Sequence, residues 1–415
     1  NALLASCYLE GYTLTHRLLF KQIAIETLEY CLREMQDSEG GFYSAQDADS
    51  EGEEGKHFVW TQAEIYKILG KEEGQLFSEY FQINQFGNFE NGYSTLHRVR
   101  NEDLFLKKHN LFKNSWDQKV KSHKQLLLEK RRARPSPSTD KKILTSWNAL
   151  LISALIKAYY ITQERRFLTA AQKTIEFIQD HLIFQKNRLH RTCKDGVSKI
   201  NGYLEDYSLF LSALLDIYEI TGNSDYFSQA LQFNEIILEQ FWDKNNGAFF
   251  FTSSDHEPLL LRSKNIYDNA TPSGNSVQVM NLLRLYKITG KTELLDKAET
   301  TLKAFLPYLA SSPSGFSEML CALDFYFGPV LEIAIINPAT QTKITNLAGS
   351  EIAELFIPNK VMAICQMENE HHPDVVLLKN KSAMNNQPTF YLCQNFTCQN
   401  PTTNLQELKQ SITAN

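Results

Sequence analysis

The sequence predicts a mainly α fold, in which antiparallel α/α hairpins form a ring, an α/α toroid, followed by a small α/β tail. The main observation is a repeated Tyr-x-x-Thr step. In each copy the residue 14 positions before the Thr opens an apolar helical run. In three of the four copies a Gly stands 26 positions after the Thr. The copies lie too far apart for a tetratricopeptide array, whose period is about 34 residues. The repeated threonines are Thr15, Thr162, Thr221 and Thr289.

Two helices fit between these anchors in each copy. The first, for example residues 150–156, is apolar almost all round, as is typical of a buried helix. The second, for example residues 170–178, alternates apolar and charged residues at the helical period and should face solvent on one side. Because the helices of a hairpin run in opposite directions, the long connections between hairpins should share one rim of the ring. Such a rim is a usual place for a ligand site.

The composition excludes several functional classes. The 415-residue chain is 43% hydrophobic with a formal net charge of -6, and its basic residues form no single patch, so we expect no nucleic-acid partner. It contains no run of about 18 apolar residues, so we expect no membrane association. The seven scattered cysteines favour a reducing compartment, which predicts a cytoplasmic protein with Cys393 and Cys398 reduced.

The segment 40–60 is the richest in polar side chains. It places five carboxylates within eight positions, beside a Lys, a His and several aromatic residues. Carboxylates this close raise one another's proton affinity, which suits a general acid beside a base, and Asp47 and Asp49 are the candidates. The same residues match the first half of a calcium loop, but Phe58 stands where the bidentate Glu should be. A solvated acidic turn is the third interpretation.

Three further clusters, at the starts of inner helices, combine aromatic and polar side chains. Helix capping is the simplest interpretation of Asp206, Ser273 and Asn275. Capping does not explain the accompanying Trp and Tyr residues. Aromatic rings beside carboxylates and amides suit a sugar, whose C–H face stacks while its hydroxyls form hydrogen bonds. The clusters are residues 145–148, 201–207 and 267–276.

Motifs of other chemistries are missing from the sequence. It holds no Ser-His-Asp pattern, P-loop or dinucleotide fingerprint, and no His/Cys set with zinc spacing, so we predict neither a cofactor nor a metal. His190 should lie on the same rim, either as a base or as a structural histidine. Cys393 and Cys398 have four residues between them, unlike a redox Cys-x-x-Cys; ordinary thiols, a labile disulfide and a metal pair all remain open.

Five segments occur in an order found in one known family: GGFYSAQDADSEGEEGKHFVW, KILTSWNALL, NGYLEDYS, TPSGNS and FTCQNPTT. Together they resemble the spermatogenesis-associated protein 20 family, also called thioredoxin-domain-containing proteins, along essentially the whole chain. The resemblance implies an N-terminal thioredoxin-like domain followed by an (α/α)6 toroid similar to six-hairpin glycosidases and sugar 2-epimerases. No reaction is established for the family.

The resemblance also implies that part of this architecture lies outside the chain. Residues 1–5 have the character of mid-helix, with neither an initiator Met nor a cap, and family members carry His-Phe-Glu-Lys-Met-Leu-Tyr-Asp just before the position of Asn1. We expect the thioredoxin-like domain, a partner of the toroid, and the first part of the toroid to be missing, so a targeting signal cannot be judged. Where relatives have Pro-His-x-Asp-Asp-Lys, residues 137–142 are Pro-Ser-Thr-Asp-Lys-Lys, which puts a catalytic role there in doubt.

We expect the toroid, incomplete at its N-terminus, over residues 1–328 with an insertion at about 61–140, and a small C-terminal α/β domain over 329–415. Thr61 and Glu64 predict a capping box at the first helix of the insertion. In the tail the pattern predicts strands at 331–336, 361–365, 375–378 and 390–393 and a helix at 405–412.

Two main functions fit these patterns: a carbohydrate-active enzyme or sugar-binding protein whose partner is a sugar-like small molecule, or a non-catalytic scaffold for a thioredoxin-like redox or chaperone domain. A plain structural ring is a third. The first predicts one cavity in which at least one carboxyl has a raised pKa, because mutual repulsion opposes the stabilising helix N-termini. The expected catalytic residues are Asp47, Asp49, Glu205, Asp206 and Asp268, and the expected substrate-binding residues are Trp147, Asn148, Tyr207 and Asn275.

Overall fold

The computed structural model describes residues 1–257, 259–338, 352–365 and 372–414. The chain divides into two compact units. The first combines Asn1–Ser44 with Lys141–Asn415, and the second is Ala45–Asp140. The second unit therefore takes in residues 45–60, most of the polar segment 40–60, and residues 329–415 cluster with the helical hairpins.

Helices dominate the described residues. Within those residues no helix combines the length and the apolar character that a membrane-spanning segment needs. In chain order the helices are α1 (Ala2–Thr15), α2 (Leu18–Tyr30), α3 (Gln62–Leu69), α4 (Lys71–Tyr80), α5 (Glu102–Lys108), α6 (Lys113–Arg132), α7 (Thr145–Thr162), α8 (Arg165–Phe177), α9 (Leu204–Thr221), α10 (Ser224–Gln240), α11 (Gly274–Thr289), α12 (Thr292–Ser311), α13 (Ser317–Phe327) and α14 (Leu405–Thr413).

The strands are short and form small sheets. They are β1 (Ala45–Gln46), β2 (Asp49–Ser50), β3 (Glu53–Glu54), β4 (Thr139–Asp140), β5 (Ile143–Leu144), β6 (Ile183–Phe184), β7 (Arg188–Lys194), β8 (Val197–Asn201), β9 (Leu331–Ile336), β10 (Lys360–Cys365), β11 (Thr389–Gln394) and β12 (Thr397–Cys398). Strands β5 to β8 join around β7, and the C-terminal sheet has the order β10-β9-β11-β12. In that sheet β9 and β10 are parallel, whereas β9 and β11 are antiparallel.

Helical hairpins build the first unit. The pairs α1–α2, α7–α8, α9–α10 and α11–α12 pack against each other, and the first helices of the pairs, followed by α13, contact one another in succession. Helix α9 is buried along nearly its whole length, as an inner helix should be. Helix α8 buries one face and exposes the other. The predicted mainly α, α/α-hairpin toroid fold is confirmed.

The Tyr-x-x-Thr repeat forms the turn inside each hairpin. The Thr162 hydroxyl donates to the carbonyl of Ala158 at 2.7 Å and accepts the N–H of Glu164 at 3.2 Å. Gln163, with a left-handed backbone, donates its N–H to the carbonyl of Tyr159. These bonds satisfy the last free carbonyls of the inner helix and start the outer one. The same pattern occurs at Thr15, Thr221 and Thr289.

The C-terminal sheet packs between two cores. Alternate residues of β10 face opposite sides: Val361 and Ala363 join the core of the helical hairpins, and Met362 and Ile364 join a second core with α14. The predicted strands at 331–336, 361–365 and 390–393 and the helix at 405–412 are confirmed. The predicted strand at 375–378 is wrong. A 3-10 turn, Val376–Leu378, stands there, because a short apolar run can be buried in either conformation.

The expectation that Cys393 and Cys398 are reduced is contradicted. The structure joins them in a disulfide. Strands β11 and β12 form a hairpin in which Cys393 lies directly opposite Cys398. Asn395 and Phe396, the two residues of the turn, both have positive φ, which is typical of the tightest hairpin turns. This register, which spacing alone does not reveal, brings the two thiols together.

The second unit has its own aromatic core, formed by side chains such as Phe77, Tyr80 and Trp116. The predicted capping box is confirmed: the Thr61 hydroxyl accepts the N–H of Glu64 at 3.2 Å, and the Glu64 carboxylate accepts the N–H of Thr61 at 2.8 Å. The Arg134 guanidinium lies over the Trp60 ring, 4.0 Å from its centroid, and donates to the carbonyl of Val59 at 2.7 Å.

Gly222 and Gly290 occupy equivalent turns but differ in their surroundings, which gives a matched pair of substitutions. Both have positive φ, 68° and 71°, so Ala should cost about 1–2 kcal/mol at either site. A Cβ at Gly222 would lie 2.5 Å from the carbonyl oxygen of Ile364 in β10, whereas the nearest atom at Gly290 is 3.9 Å away. We predict that Gly222→Ala lowers the free energy of unfolding by a further 1–3 kcal/mol or so, measured by urea denaturation. Equal losses at the two sites would contradict this packing of β10.

Candidate functional site

Asn148 binds the backbone of the preceding hairpin. Its Oδ1 accepts the N–H of Phe42 at 2.7 Å, and its Nδ2 donates to the carbonyls of Phe42 at 3.0 Å and Leu144 at 2.9 Å. Asn148 is 2% exposed. The amide thus ties the first turn of α7 to the segment that follows α2. Both N–H groups of Nδ2 and one acceptor position of Oδ1 are used in these bonds, which leaves no donor for a ligand.

Asn275, two hairpins later in α11, makes a matching set of bonds. Its Oδ1 accepts the N–H of Phe249 at 2.9 Å, and its Nδ2 donates to the carbonyls of Phe249 and Asn265, both at 2.9 Å. At the equivalent position in α9 the Tyr207 hydroxyl accepts the N–H of Leu189 at 2.8 Å. Asn275 and Tyr207 are both fully buried.

We call these three interactions the rim clamps: Asn148 on Phe42, Tyr207 on Leu189 and Asn275 on Phe249. Each fastens the start of one inner helix to the segment leaving the previous outer helix. The sequence pattern predicts that Asn148, Tyr207 and Asn275 bind substrate. The structure corrects this, because all three side chains are buried and committed to backbone groups that would otherwise lack partners.

Asp206 is also enclosed, but its chemistry is distinctive. Its carboxylate accepts the N–H groups of Ser146 at 3.1 Å and Tyr203 at 2.9 Å. Complete burial raises the pKa of Asp206 to about 6, although the nearby Arg191 guanidinium acts in the opposite direction. The expected raised pKa is present, but burial rather than mutual repulsion is its main cause. Because Asp206 has no exposed surface, it positions other groups instead of touching a ligand.

Glu205 and Trp147 remain accessible beside Asp206. Arg191 donates to the Glu205 carboxylate at 2.7 Å, and its guanidinium lies 4.7 Å from the centroid of the Tyr203 ring. Trp147 stands in the first turn of α7 and is 45% exposed, although its neighbours in the chain are buried. The Trp147 ring is therefore exposed to solvent at the N-terminus of α7 and is available for stacking against a ligand.

Asp268 organises the start of α13. One of its carboxylate oxygens accepts the N–H of Ser273 at 2.8 Å, and the other accepts the N–H of Glu318 at 2.8 Å. The Glu318 side chain was not among the sequence candidates. Burial, reinforced by the charges of Asp268 and Glu10, raises the pKa of Glu318 to about 7. A half-buried carboxyl that titrates near neutral pH is a candidate general acid or base.

A second group of charges lies on the inner helices, at the position five residues before the Thr of each repeat. We call it the charged layer: Glu10, Lys157, Asp216 and Arg284. The charges alternate in sign from helix to helix. Lys157 pairs with Glu10, and Arg284 pairs with Asp216 at 2.8 Å and with Glu219 at 2.9 Å.

Glu318 lies within electrostatic reach of the charged layer. The charges of Glu10 and Asp216 raise the pKa of Glu318, and that of Lys157 lowers it, so residues of α1, α7 and α9 lie within electrostatic reach of α13. The side chains of Glu10 and Lys157 are 55% and 33% exposed, so solvent reaches this space. One sequence signal could have revealed the layer, namely a charged residue that stands between apolar neighbours at the same position of four inner helices.

Asp47 and Asp49 belong to the second unit, so their part in a shared site stays a prediction. The Asp47 carboxylate accepts the N–H of Asp49 at 3.1 Å and the Ser138 hydroxyl at 3.2 Å. The acidic segment forms a two-stranded hairpin whose turn residues, Glu51 and Gly52, both have positive φ. In the described part of the chain no group of His, Cys, Asp and Glu side chains has the geometry to hold a metal ion.

His190 stacks on a neighbouring aromatic ring. Its imidazole lies 4.2 Å from the Phe184 ring, centroid to centroid, at an angle of 22°. Its backbone carbonyl accepts the Thr145 hydroxyl at 2.6 Å, which links β7 to the start of α7. The backbone of His190 therefore has a structural role at the rim.

Sequence comparison supports the resemblance inferred from the motifs. The chain is 29% identical to human spermatogenesis-associated protein 20 over 99% of its own length, and spans 57% of that protein. An uncharacterised Caenorhabditis elegans protein is 26% identical over 98% of the chain, which spans 59% of it. The recognised resemblance to the spermatogenesis-associated protein 20 family is confirmed. No family model matches the chain.

Solved structures similar to the chain include a cellobiose 2-epimerase from Bacillus thermoamylovorans. It is 12% identical with a TM-score of 0.36, and the match covers 68% of this chain and 72% of the epimerase. A GH76 alpha-mannanase from Bacteroides thetaiotaomicron is 14% identical with a TM-score of 0.36, covering 83% of this chain and 85% of the mannanase.

The rim clamps predict a large cost for a substitution that keeps the shape of the amide. Asn148→Asp and Asn275→Asp replace a donor with a carboxylate facing two carbonyls, so each should lower the free energy of unfolding by about 3–5 kcal/mol. Asn187→Asp, on an exposed turn, is the control and should change it by less than about 0.5 kcal/mol. Urea denaturation at pH 7 measures all three. If Asn148→Asp or Asn275→Asp lowers the free energy of unfolding no more than Asn187→Asp does, the hydrogen bonds assigned to the rim clamps are wrong.

The raised pKa of Glu318 predicts a pH-dependent effect on stability. Its folded pKa of about 7 lies above the ordinary 4.5, so its contribution is complete below about 4.5 and is lost as pH rises through 7. Glu318→Gln cannot ionise and avoids this loss. From pH 5 to pH 8 the variant should therefore gain about 1–3 kcal/mol of unfolding free energy relative to the parent protein. A constant difference between the two proteins across this range would show that Glu318 titrates normally.

Proposed function

We propose that the helical unit binds a sugar-like small molecule between its inner helices, and that Glu318 acts on it as a general acid or base. The observation that carries the proposal is the charged layer, which places one charged residue at the same position of four inner helices. Removing a charge from water costs free energy, as at Arg284, whose side chain is 11% exposed, and a protein retains such a charge where it has a task.

The composition of this interior favours a neutral ligand rich in hydroxyl groups. Glu10 and Asp216 accept hydrogen bonds, whereas Lys157 and Arg284 donate them, and the four residues of the layer together carry two negative and two positive charges. A hydroxyl both donates and accepts, so several hydroxyls can contact both kinds of side chain without adding net charge. A strongly anionic or cationic ligand would disturb the balance of the pairs.

Each remaining side chain has a distinct role in this proposal. Glu318, with a pKa of about 7, can give or take a proton at neutral pH. Trp147 supplies an exposed ring for stacking against a C–H face. Asp268 fixes the start of α13, and with it Glu318, through the backbone N–H of that residue. Asp206 and Arg191 hold Glu205 at the rim.

A ligand screen tests the proposal. A panel of neutral monosaccharides and disaccharides is added to the parent protein, and the shift of the thermal unfolding midpoint is followed. A ligand at one hundred times its Kd should add about 2.7 kcal/mol of stability. Trp147→Ala should weaken binding about tenfold, because it removes the stacking surface. Glu318→Gln should retain binding, because it keeps the shape of the side chain and removes only the titratable proton.

Glu176→Gln provides the matched control, since Glu176 is an exposed carboxylate on the outer helix α8. It should bind the same sugars as the parent. If no sugar stabilises the parent protein, or if stabilisation persists unchanged in Trp147→Ala, the proposal fails. The non-catalytic scaffold for a thioredoxin-like domain would then be the better explanation.

A further inference from the structure

The Cys393–Cys398 disulfide lies at the edge of the C-terminal sheet, and its two cysteines have different surroundings. Cys393 in β11 is 2% exposed, whereas Cys398 in the short edge strand β12 is exposed. A cavity of about 260 Å³ adjoins the disulfide, and both cysteines line it together with residues that include Leu331, Leu392 and Gln399. The cavity therefore gives a small thiol room to reach the disulfide at its exposed cysteine.

Contacts other than the disulfide also anchor the turn of this hairpin. The buried Glu332 carboxylate of β9 accepts the N–H of Phe396 at 2.9 Å. Lys287 Nζ of α11 donates to the same carboxylate at 3.1 Å and to Asn395 Oδ1 at 3.0 Å. The Phe396 ring packs edge-on against the Tyr286 ring, with 5.5 Å between the centroids. Because these contacts do not involve sulfur, they hold the two cysteines opposite each other when the disulfide opens.

The fold has little need of this disulfide. A disulfide stabilises a protein mainly by restricting the unfolded chain, and the effect is larger when the loop that it closes is longer. Here the two cysteines are five positions apart, and the contacts of the turn already close that short loop. The S–S bond can therefore open and form again within the folded protein, as a reversible redox site requires.

We propose that Cys393 and Cys398 form a redox-active pair that exchanges with thiol compounds through Cys398. The substrate class is a dithiol, which becomes a disulfide while the protein pair is reduced. An oxidised thiol compound drives the reverse reaction. The inference is independent of the proposed sugar site, because it involves no residue of the charged layer.

The exchange takes two steps. One thiol of the dithiol loses its proton to solvent and attacks Cys398 Sγ, the S–S bond of the protein breaks, and Cys393 leaves as a thiolate that takes up a proton. The second thiol of the dithiol then loses its proton and attacks the dithiol sulfur of the mixed disulfide. Cys398 leaves as a thiolate and is protonated in turn. Two electrons and two protons thus pass from the dithiol to the protein.

Equilibration with glutathione tests the inference. The folded full chain is held at pH 7 with about 10 mM reduced and about 0.1 mM oxidised glutathione, and reduced cysteines are then alkylated and located by peptide mass spectrometry. Because a structural disulfide resists glutathione and a redox-active one exchanges with it, at least about one molecule in ten should have Cys393 and Cys398 both reduced. Circular dichroism should stay unchanged. A smaller reduced fraction, or reduction accompanied by loss of the helical signal, overturns the inference.

Two matched variants identify the cysteine that meets the thiol compound. Cys393→Ser keeps the exposed Cys398, and Cys398→Ser keeps the buried Cys393. Each variant is mixed with oxidised glutathione, and the mixed disulfide at the remaining cysteine is followed by peptide mass spectrometry. The adduct should form at Cys398 at least about tenfold faster than at Cys393, because exchange requires access to the sulfur. A smaller difference, or faster reaction at Cys393, overturns the role of Cys398.

Discussion

The rim clamps are the constraint on which the rest of the helical unit depends. An inner helix begins next to a segment leaving the previous hairpin, and that segment buries an N–H and, at two of the clamps, a carbonyl that water cannot reach. At these two clamps one asparagine amide satisfies both groups and also a third carbonyl. Each buried polar group left unpaired would cost about 1–3 kcal/mol. The clamps therefore set the relative height of consecutive hairpins, and the charges on neighbouring inner helices come to lie at one level.

The fold was predictable because its signals are local. The Tyr-x-x-Thr step reflects bonds within a few residues of one turn. Counting along the chain therefore finds the four described hairpins of the first unit, α1–α2, α7–α8, α9–α10 and α11–α12. The clamps were not predictable, since the partner of Asn148 lies 106 residues away and an amide at a helix start looks the same whether it faces backbone or ligand. The disulfide was missed for a related reason. It depends on a two-residue turn at Asn395 and Phe396, which spacing does not specify.

The clamps also explain why the polar residues of the rim were misleading as site candidates. Asn148, Tyr207 and Asn275 recur at the same position of three repeats, yet their hydrogen-bonding groups are used within the protein. The members of the charged layer on the same helices look unremarkable singly: one lysine, one aspartate and one arginine, each in an apolar run. These residues come together because neighbouring inner helices are aligned at the same height, and not because they are close in sequence. Glu318 is positioned near them by Asp268, which accepts its backbone N–H.

The C-terminal sheet completes this interior, which accounts for its clustering with the hairpins. The carbonyl of Ile364 in β10 leaves no room for a side chain at Gly222, in the turn between α9 and α10. The Tyr160 hydroxyl at the end of α7 donates to the Met362 sulfur at 3.6 Å, so the same strand also contacts a second hairpin. A strand held at two inner-helix ends has little freedom to shift.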